Sequence, residues 1–154
     1  MIRHIQYVLA GLILLGFSPR ALAGVTEIQA LRFGEYIVTH NDAVYSITVN
    51  VGGVVTYDPA GFIEIAATGQ DGIYDIDGLP ASTAITSVVI TQTTPLTSGG
   101  LSFQMNTFTE SHPASTDASG VAQIRVGATA DTSGNGIPYL DRTYNGMLEI
   151  QINF

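Results

Sequence analysis

The segment Asp131-Thr132-Ser133-Gly134-Asn135-Gly136 is where residue types and spacing come closest to a known ligand geometry. Side-chain oxygens fall at its first, third and fifth positions and glycine at its sixth. In Ca²⁺ loops this spacing lets alternate residues turn onto one ion while glycine permits the sharp bend. Two features weaken it. Ser133 and Asn135 bring no charge, and Arg142 stands at the twelfth position, where an EF-hand needs a bidentate glutamate. A weak calcium site at Asp131, Ser133 and Asn135 is set against an ordinary Gly/Asn turn, which the composition favours. No other cofactor is expected.

A second acidic cluster runs Asp71-Gly72-Ile73-Tyr74-Asp75-Ile76-Asp77. As a strand, 73–77 puts Asp75 and Asp77 on one face with Ile73, and Tyr74 and Ile76 on the other. Solvated carboxylates on an outer face, which also discourage edge-to-edge pairing, are the expected meaning. His40 and His112 both sit in turn-forming sequence, His40-Asn41-Asp42 and His112-Pro113, where a lone ring is ordinarily solvated. No Gly-x-Ser-x-Gly elbow, zinc-binding histidine pair or phosphate-cradling glycine loop occurs. Carboxylates brought together in space for glycoside hydrolysis leave no local mark. With no motif to build on, the chain is expected not to be an enzyme.

Whatever positions these residues is built after residue 23. Met1-Ile2-Arg3-His4, an apolar run from Tyr7 to Phe17, and Ala21-Leu22-Ala23 are the three parts of a secretory signal. Pro19-Arg20 end the apolar run well short of the roughly 20 residues a membrane span requires. Cleavage is expected after Ala23, leaving one domain, 24–154, with no transmembrane segment. The expected location is the periplasm, surface or exterior of a Gram-negative-type cell. All 13 acidic residues lie in that domain against Arg32, Arg125 and Arg142, a formal charge of −10. With no basic stripe to displace counterions, nucleic acid is not a partner. The chain has no cysteine, so the core must hold without disulfides. It also has no lysine, which removes any Lys–Asn cross-link of the kind found in some Gram-positive pili.

After Ala23, short runs rich in Val, Ile, Thr, Tyr and Phe alternate with Gly, Pro, Asn and Asp clusters. That is the pattern of an antiparallel, immunoglobulin-like β-sandwich. Strands are predicted near Thr26–Phe33, Tyr36–Thr39, Val44–Val49, Val54–Tyr57, Phe62–Thr68, Ile73–Ile76, Ser87–Thr93, Leu101–Thr109, Val121–Ala128 and Tyr144–Phe154. Period-two alternation assigns Ile63 and Ile65 to one face against Glu64. It likewise groups Leu101, Phe103 and Met105, and Ala122, Ile124 and Val126, as buried sets. Glu110–Gly120 is the longest polar connection and is read as a variable surface loop.

The last strand alternates most clearly. Leu148, Ile150, Ile152 and Phe154 share one face, and Met147, Glu149, Gln151 and Asn153 the other. Burying four such side chains at about 1.5–3 kcal/mol each is comparable to a domain's whole stability. All four are expected to lock a closing strand into the sheet and to be what an assembly chaperone or neighbouring subunit recognises.

Four segments together resemble the bacterial DUF4402 family, whose members are similar to fimbrial and spore-coat-U type pilin subunits. They are Leu31-Arg32-Phe33-Gly34; Phe62–Gly69 with Tyr74 and Leu79-Pro80; Ile124–Ala128; and Tyr144–Phe154. The resemblance implies an exported β-sandwich without enzyme activity, set in surface filaments. Filament subunits of this kind carry an N-terminal extension that completes a neighbour's sandwich by β-strand addition. Here only Gly24–Ala30 precede Leu31, enough for one strand of roughly 23 Å. Either Val25–Phe33, with Val25, Ile28, Leu31 and Phe33 as its apolar set, is the donor, or the protein does not polymerise in this way. The expected function is thus a structural or adhesive envelope protein whose partners are like subunits or a periplasmic chaperone. The alternative is a monomeric periplasmic or secreted module binding glycan or matrix through its loops, with Tyr139 the first suspect.

Overall fold

The structure, a computed structural model, describes residues 24–154. The expected signal peptide, 1–23, lies outside the described residues. Ten strands follow in order: β1 (Gly24–Gln29), β2 (Glu35–Val38), β3 (Ser46–Val49), β4 (Val55–Tyr57), β5 (Phe62–Ala66), β6 (Gly72–Asp77), β7 (Ser87–Ser98), β8 (Leu101–Ser111), β9 (Ala122–Asp131) and β10 (Asn145–Asn153). No helix occurs among the described residues, and every strand pairing is antiparallel.

The main sheet runs β1-β6-β9-β8-β7-β10. β9 carries β8 along one edge; along the other it carries β6, opposite residues 122–126, and then β3, opposite 128–131. β4 extends the sheet from β3, and β2 and β5 form a separate pair. β8 belongs to two layers. Leu101–Phe103 pair with β7, whereas Gln104–Ser111 pair with β9. Where β7 and β8 part, the Gln92 side chain bridges them: its Oε1 accepts from the Met105 amide and its Nε2 donates to Gln104 Oε1 at 3.0 Å. The sheet therefore curls into a half-barrel, and the β7–β10 ribbon folds back over β6 and β9.

β7 runs further than Thr93, through Thr94-Pro95-Leu96-Thr97-Ser98. Proline cannot donate to a ladder and is tolerated in strands at bulges. The β10 register does slip opposite it, between Asn145 and Met147. Gly146 makes the slip possible, because a Cβ there would press on Thr94 O and the Pro95–Leu96 peptide at 2.7–3.0 Å.

Two apolar clusters fill the interior. One joins Tyr74, Ile76, Ala122, Ile124 and Val126 of β6 and β9 to the inner face of the β7–β10 ribbon. The other joins Ile47, Phe62, Phe103 and Ala130 to a ring of partly buried aromatics. Of the buried sets expected on β8 and β9, Phe103, Met105, Ala122, Ile124 and Val126 are buried, and Leu101 is only partly so. The expectation for β5 is reversed. Phe62 is buried while Ile63 and Ile65 are exposed. The aromatic ring decides the face, since Phe62 packs edge-on against Tyr36 at 6.0 Å within the second cluster. Ile63, paired directly with exposed Ile37, is left outside.

Candidate functional site

The main path of the half-barrel ends on β1 and β10, each, like β4 on its branch, hydrogen-bonded on one side only. Their faces show what the fold leaves uncovered. Val25 pairs directly with Ile76, and Glu27 with Tyr74. Cross-strand partners share a face, so Val25 points toward the same layer as buried Ile76 and Tyr74. Val25 is nevertheless 58% exposed. The β7–β10 ribbon covers β6 and β9, and the only strand β1 packs against appreciably is β6. The second layer is thus one strand short above β1.

β10 borders that gap. Leu148, Ile150 and Ile152 point inward with Val88 and Ile90, as the alternation requires, but all five stay only half-buried. Phe154 departs from the expectation. It lies past the strand and is 58% exposed. The last tie of the chain end is made one residue earlier, where Asn153 O accepts from Thr86 N at 2.8 Å and from Thr86 Oγ1 at 3.0 Å.

The four candidate donor residues divide. Val25 and Ile28 are exposed, whereas Leu31 packs on the first cluster and Phe33 on the second. The chain is anchored just after β1. Arg32 and Gln70 exchange backbone hydrogen bonds at 2.9 and 2.8 Å, and Gln70 Nε2 donates to Ala30 O at 3.0 Å. Residues 24–29 therefore bury little, and 31–33 belong to the domain's own core.

The acidic residues also divide. Asp75 accepts from Gln123 Nε2 at 3.0 Å on the outer face. Asp71 corrects the expectation of solvated carboxylates, being only 2% exposed. It accepts from Arg125 Nε at 2.7 Å and from the Gly52 amide at 3.3 Å, and its carbonyl takes Gln29 Nε2 at 2.8 Å. The Arg125 hydrogen bond is the main cause holding its carboxyl below the ordinary value, against the opposing effect of burial.

At the expected calcium loop Asp131 turns away, while the Ser133 and Asn135 oxygens converge on a side-chain amide. Asp131 turns into the sheet, accepting from Ser46 Oγ at 2.6 Å and Asn106 Nδ2 at 2.5 Å. The centre of the loop is taken by buried Asn41, whose Nδ2 donates to Ser133 Oγ, Asn135 Oδ1 and Ile137 O at 3.0, 2.9 and 2.8 Å. Its Oδ1 accepts from the Gly134 amide at 2.8 Å. An amide nitrogen does there what an ion would do. No cluster of three or more His, Asp or Glu able to hold a metal occurs among the described residues.

A shallow depression of about 560 Å³ opens at the loop end, lined by Thr39, His40, Asp42, Tyr45, Pro59 and Ile63. His40 Nδ1 lies 3.0 Å from Ala60 O, and Tyr45 donates its hydroxyl to Asp42 Oδ1 at 3.1 Å, which raises the phenol's pKa. Tyr139 is not free to serve as a platform. Its ring stacks on Phe103 at 4.2 Å and its hydroxyl donates to Ser102 O at 2.6 Å. The connection after β8 is also tied down, for buried Thr116 donates to Pro80 O at 2.7 Å.

Sequence reasoning missed Asn41, Gln70 and the burial of Asp71. Each bonds to a segment distant in the chain, and no local pattern marks such partners.

Neither a curated protein nor a solved structure matches this chain. The family of domains of unknown function DUF4402 matches residues 24–154, the whole of the half-barrel described above. The chain belongs to the DUF4402 family.

Proposed function

We propose that this domain is a non-catalytic structural subunit of the bacterial envelope, of fimbrial type, that assembles with other copies by β-strand addition. The observation that carries this reading is the missing strand of the second layer, between the free edge of β10 and the uncovered face of β1. An incoming strand would satisfy the open backbone groups of β10. It would also cover Val25 and complete the burial of Leu148, Ile150 and Ile152. Residues 24–29 of another copy would serve once released from β6, with which they pair while burying little apolar surface. A periplasmic chaperone would protect the same edge before assembly, and export fits the reading because the assembled product lies outside the inner membrane. Size-exclusion chromatography and electron microscopy of the processed protein test it. Fibres or concentration-dependent oligomers are expected; a monomer inert at high concentration would overturn it.

A second reading, a loop-borne binding module for glycan or matrix, is favoured by the depression at His40 and Asp42. There a ring nitrogen and a carboxylate sit on the rim beside the Tyr45 ring. Glycan-array binding lost in His40→Ala and Asp42→Ala would support it over the first.

A further inference from the structure

Beyond its backbone ladder, β1 is held to β6 by side-chain contacts at its two ends rather than by apolar burial. At one end Gln29 Nε2 donates to Asp71 O. At the other, Gly24 N donates to Asp77 Oδ1 at 3.1 Å. Between them Val25, Thr26, Glu27 and Ile28 are all exposed. A Cβ at Gly24 would crowd Asp77 Oδ1, so any other residue there would have to turn that flexible carboxylate aside. The sequence Ala21-Leu22-Ala23 ends at this glycine, and the family match begins on it.

We infer that cleavage after Ala23 turns Gly24 N into the terminal ammonium of the mature protein, and that this ammonium and Asp77 form an ion pair that latches β1 onto β6. A precursor could offer Asp77 only a neutral amide. Processing replaces it with a charged donor, and hydrogen bonds with ionised partners are shorter and about twice as strong as neutral ones. The charged groups around the amine are Asp77 and Asp75 on β6 and Glu27 on β1 itself. All are acidic, so the local field favours the charged amine. A group whose pKa is raised by folding contributes below its unfolded value, about 7.7–8.0 for an α-amine, and its contribution is lost as pH rises through the folded value. The latch is therefore closed at neutral pH, weakened by salt, and released in alkali. It rests on the expected signal cleavage and not on the assembly reading, because it operates in a single copy.

The test uses the full chain exported from a Gram-negative host and purified after processing. Intact mass should correspond to a chain beginning at Gly24. NMR titration of the Gly24 amine should give a higher midpoint in the processed protein than in its Asp77→Asn variant. Gly24→Ala, which crowds the carboxylate, should behave like Asp77→Asn. Amide exchange across residues 24–29 should be about three- to fivefold faster in both variants, the size expected of an exposed ion pair, with β9 amides unchanged. A different amino terminus, or the same amine midpoint with and without Asp77, would overturn the inference. Neither result reads oligomerisation, so the latch and the assembly reading fail separately.

Discussion

Val25 and Ile76 are direct cross-strand neighbours on one face of one sheet, yet Val25 is 58% exposed and Ile76 only 3%. The core ends between them. Ile76 lies under the β7–β10 ribbon and Val25 is left uncovered, so one pair marks both the limit of the second layer and the place where, in the proposed assembly, another strand would fit.

Truncating each member of that pair should separate folding from assembly. Ile76→Ala removes buried methylenes and should cost about 2–5 kcal/mol in urea unfolding. Val25→Ala removes side-chain surface the isolated domain never buries, and should change stability by less than about 0.5 kcal/mol. In the oligomer the order changes, since Val25→Ala should raise the concentration needed for assembly, read by analytical ultracentrifugation. Equal losses of stability in the two variants would place Val25 inside the core.

Acid should loosen the domain through Asp71. Its carboxyl is held below the ordinary value chiefly by Arg125, so its contribution is fully present above the unfolded value of 3.8 and is lost as pH falls through the folded one. Arg125 keeps 42% of its side chain exposed, so the pair is partly screened and its loss should cost about 1–3 kcal/mol, nearer a charged hydrogen bond than a buried ion pair. Asp71→Asn should show that loss at pH 7 and should flatten the stability profile below pH 3.8. Urea midpoints measured from pH 2 to pH 7 provide the check.

The strands were legible because each carries its own signal: β-branched and aromatic residues bounded by Gly, Pro, Asn or Asp. β8, β9 and the inner face of β10 were legible for the same reason, since alternation is local. The face of β5 was not. Phe62-Ile63-Glu64-Ile65 offers two incompatible apolar sets, and the choice is made by Tyr36 and the other rings around Phe62. Phe154 obeyed the alternation but lies one residue beyond the ladder. The open seam was invisible in the strand pattern, because it depends on the strand order, and strand order is written in contacts between distant segments. The donor segment was legible only as an apolar set. That Leu31 and Phe33 pack into the core while Val25 and Ile28 stay exposed follows from where Gln70 anchors the chain.

Calcium should leave the 131–136 loop unchanged. Asn41 already binds the loop oxygens, and Asp131 is committed to Ser46 and Asn106. A ligand that binds only the native state stabilises it in proportion to RT ln(1 + [L]/Kd), so thermal unfolding should give the same midpoint with millimolar calcium or with EDTA. Asn41→Ala, by contrast, should destabilise by about 2–3 kcal/mol, because it strands several part-buried hydrogen-bonding groups at once. A calcium-dependent midpoint would show that the loop reorganises around the ion.

Deleting Gly24–Ala30 tests whether β1 serves its own domain or a neighbour's. The segment contributes backbone pairing to β6 but almost no apolar burial, for Val25 and Ile28 are exposed and Leu31 and Phe33 lie outside the deletion. Its loss should therefore cost only about 1–2 kcal/mol, within the range of an ordinary point substitution, and near-native far-UV circular dichroism should remain. Assembly should be lost, because the chain no longer has a strand to offer the β10 edge of another copy. A synthetic peptide spanning 24–33, added to the truncated protein, should bind it and raise its melting temperature. Were the truncated chain to unfold, β1 would be an integral part of its own sheet, and the donor would have to come from a different chain.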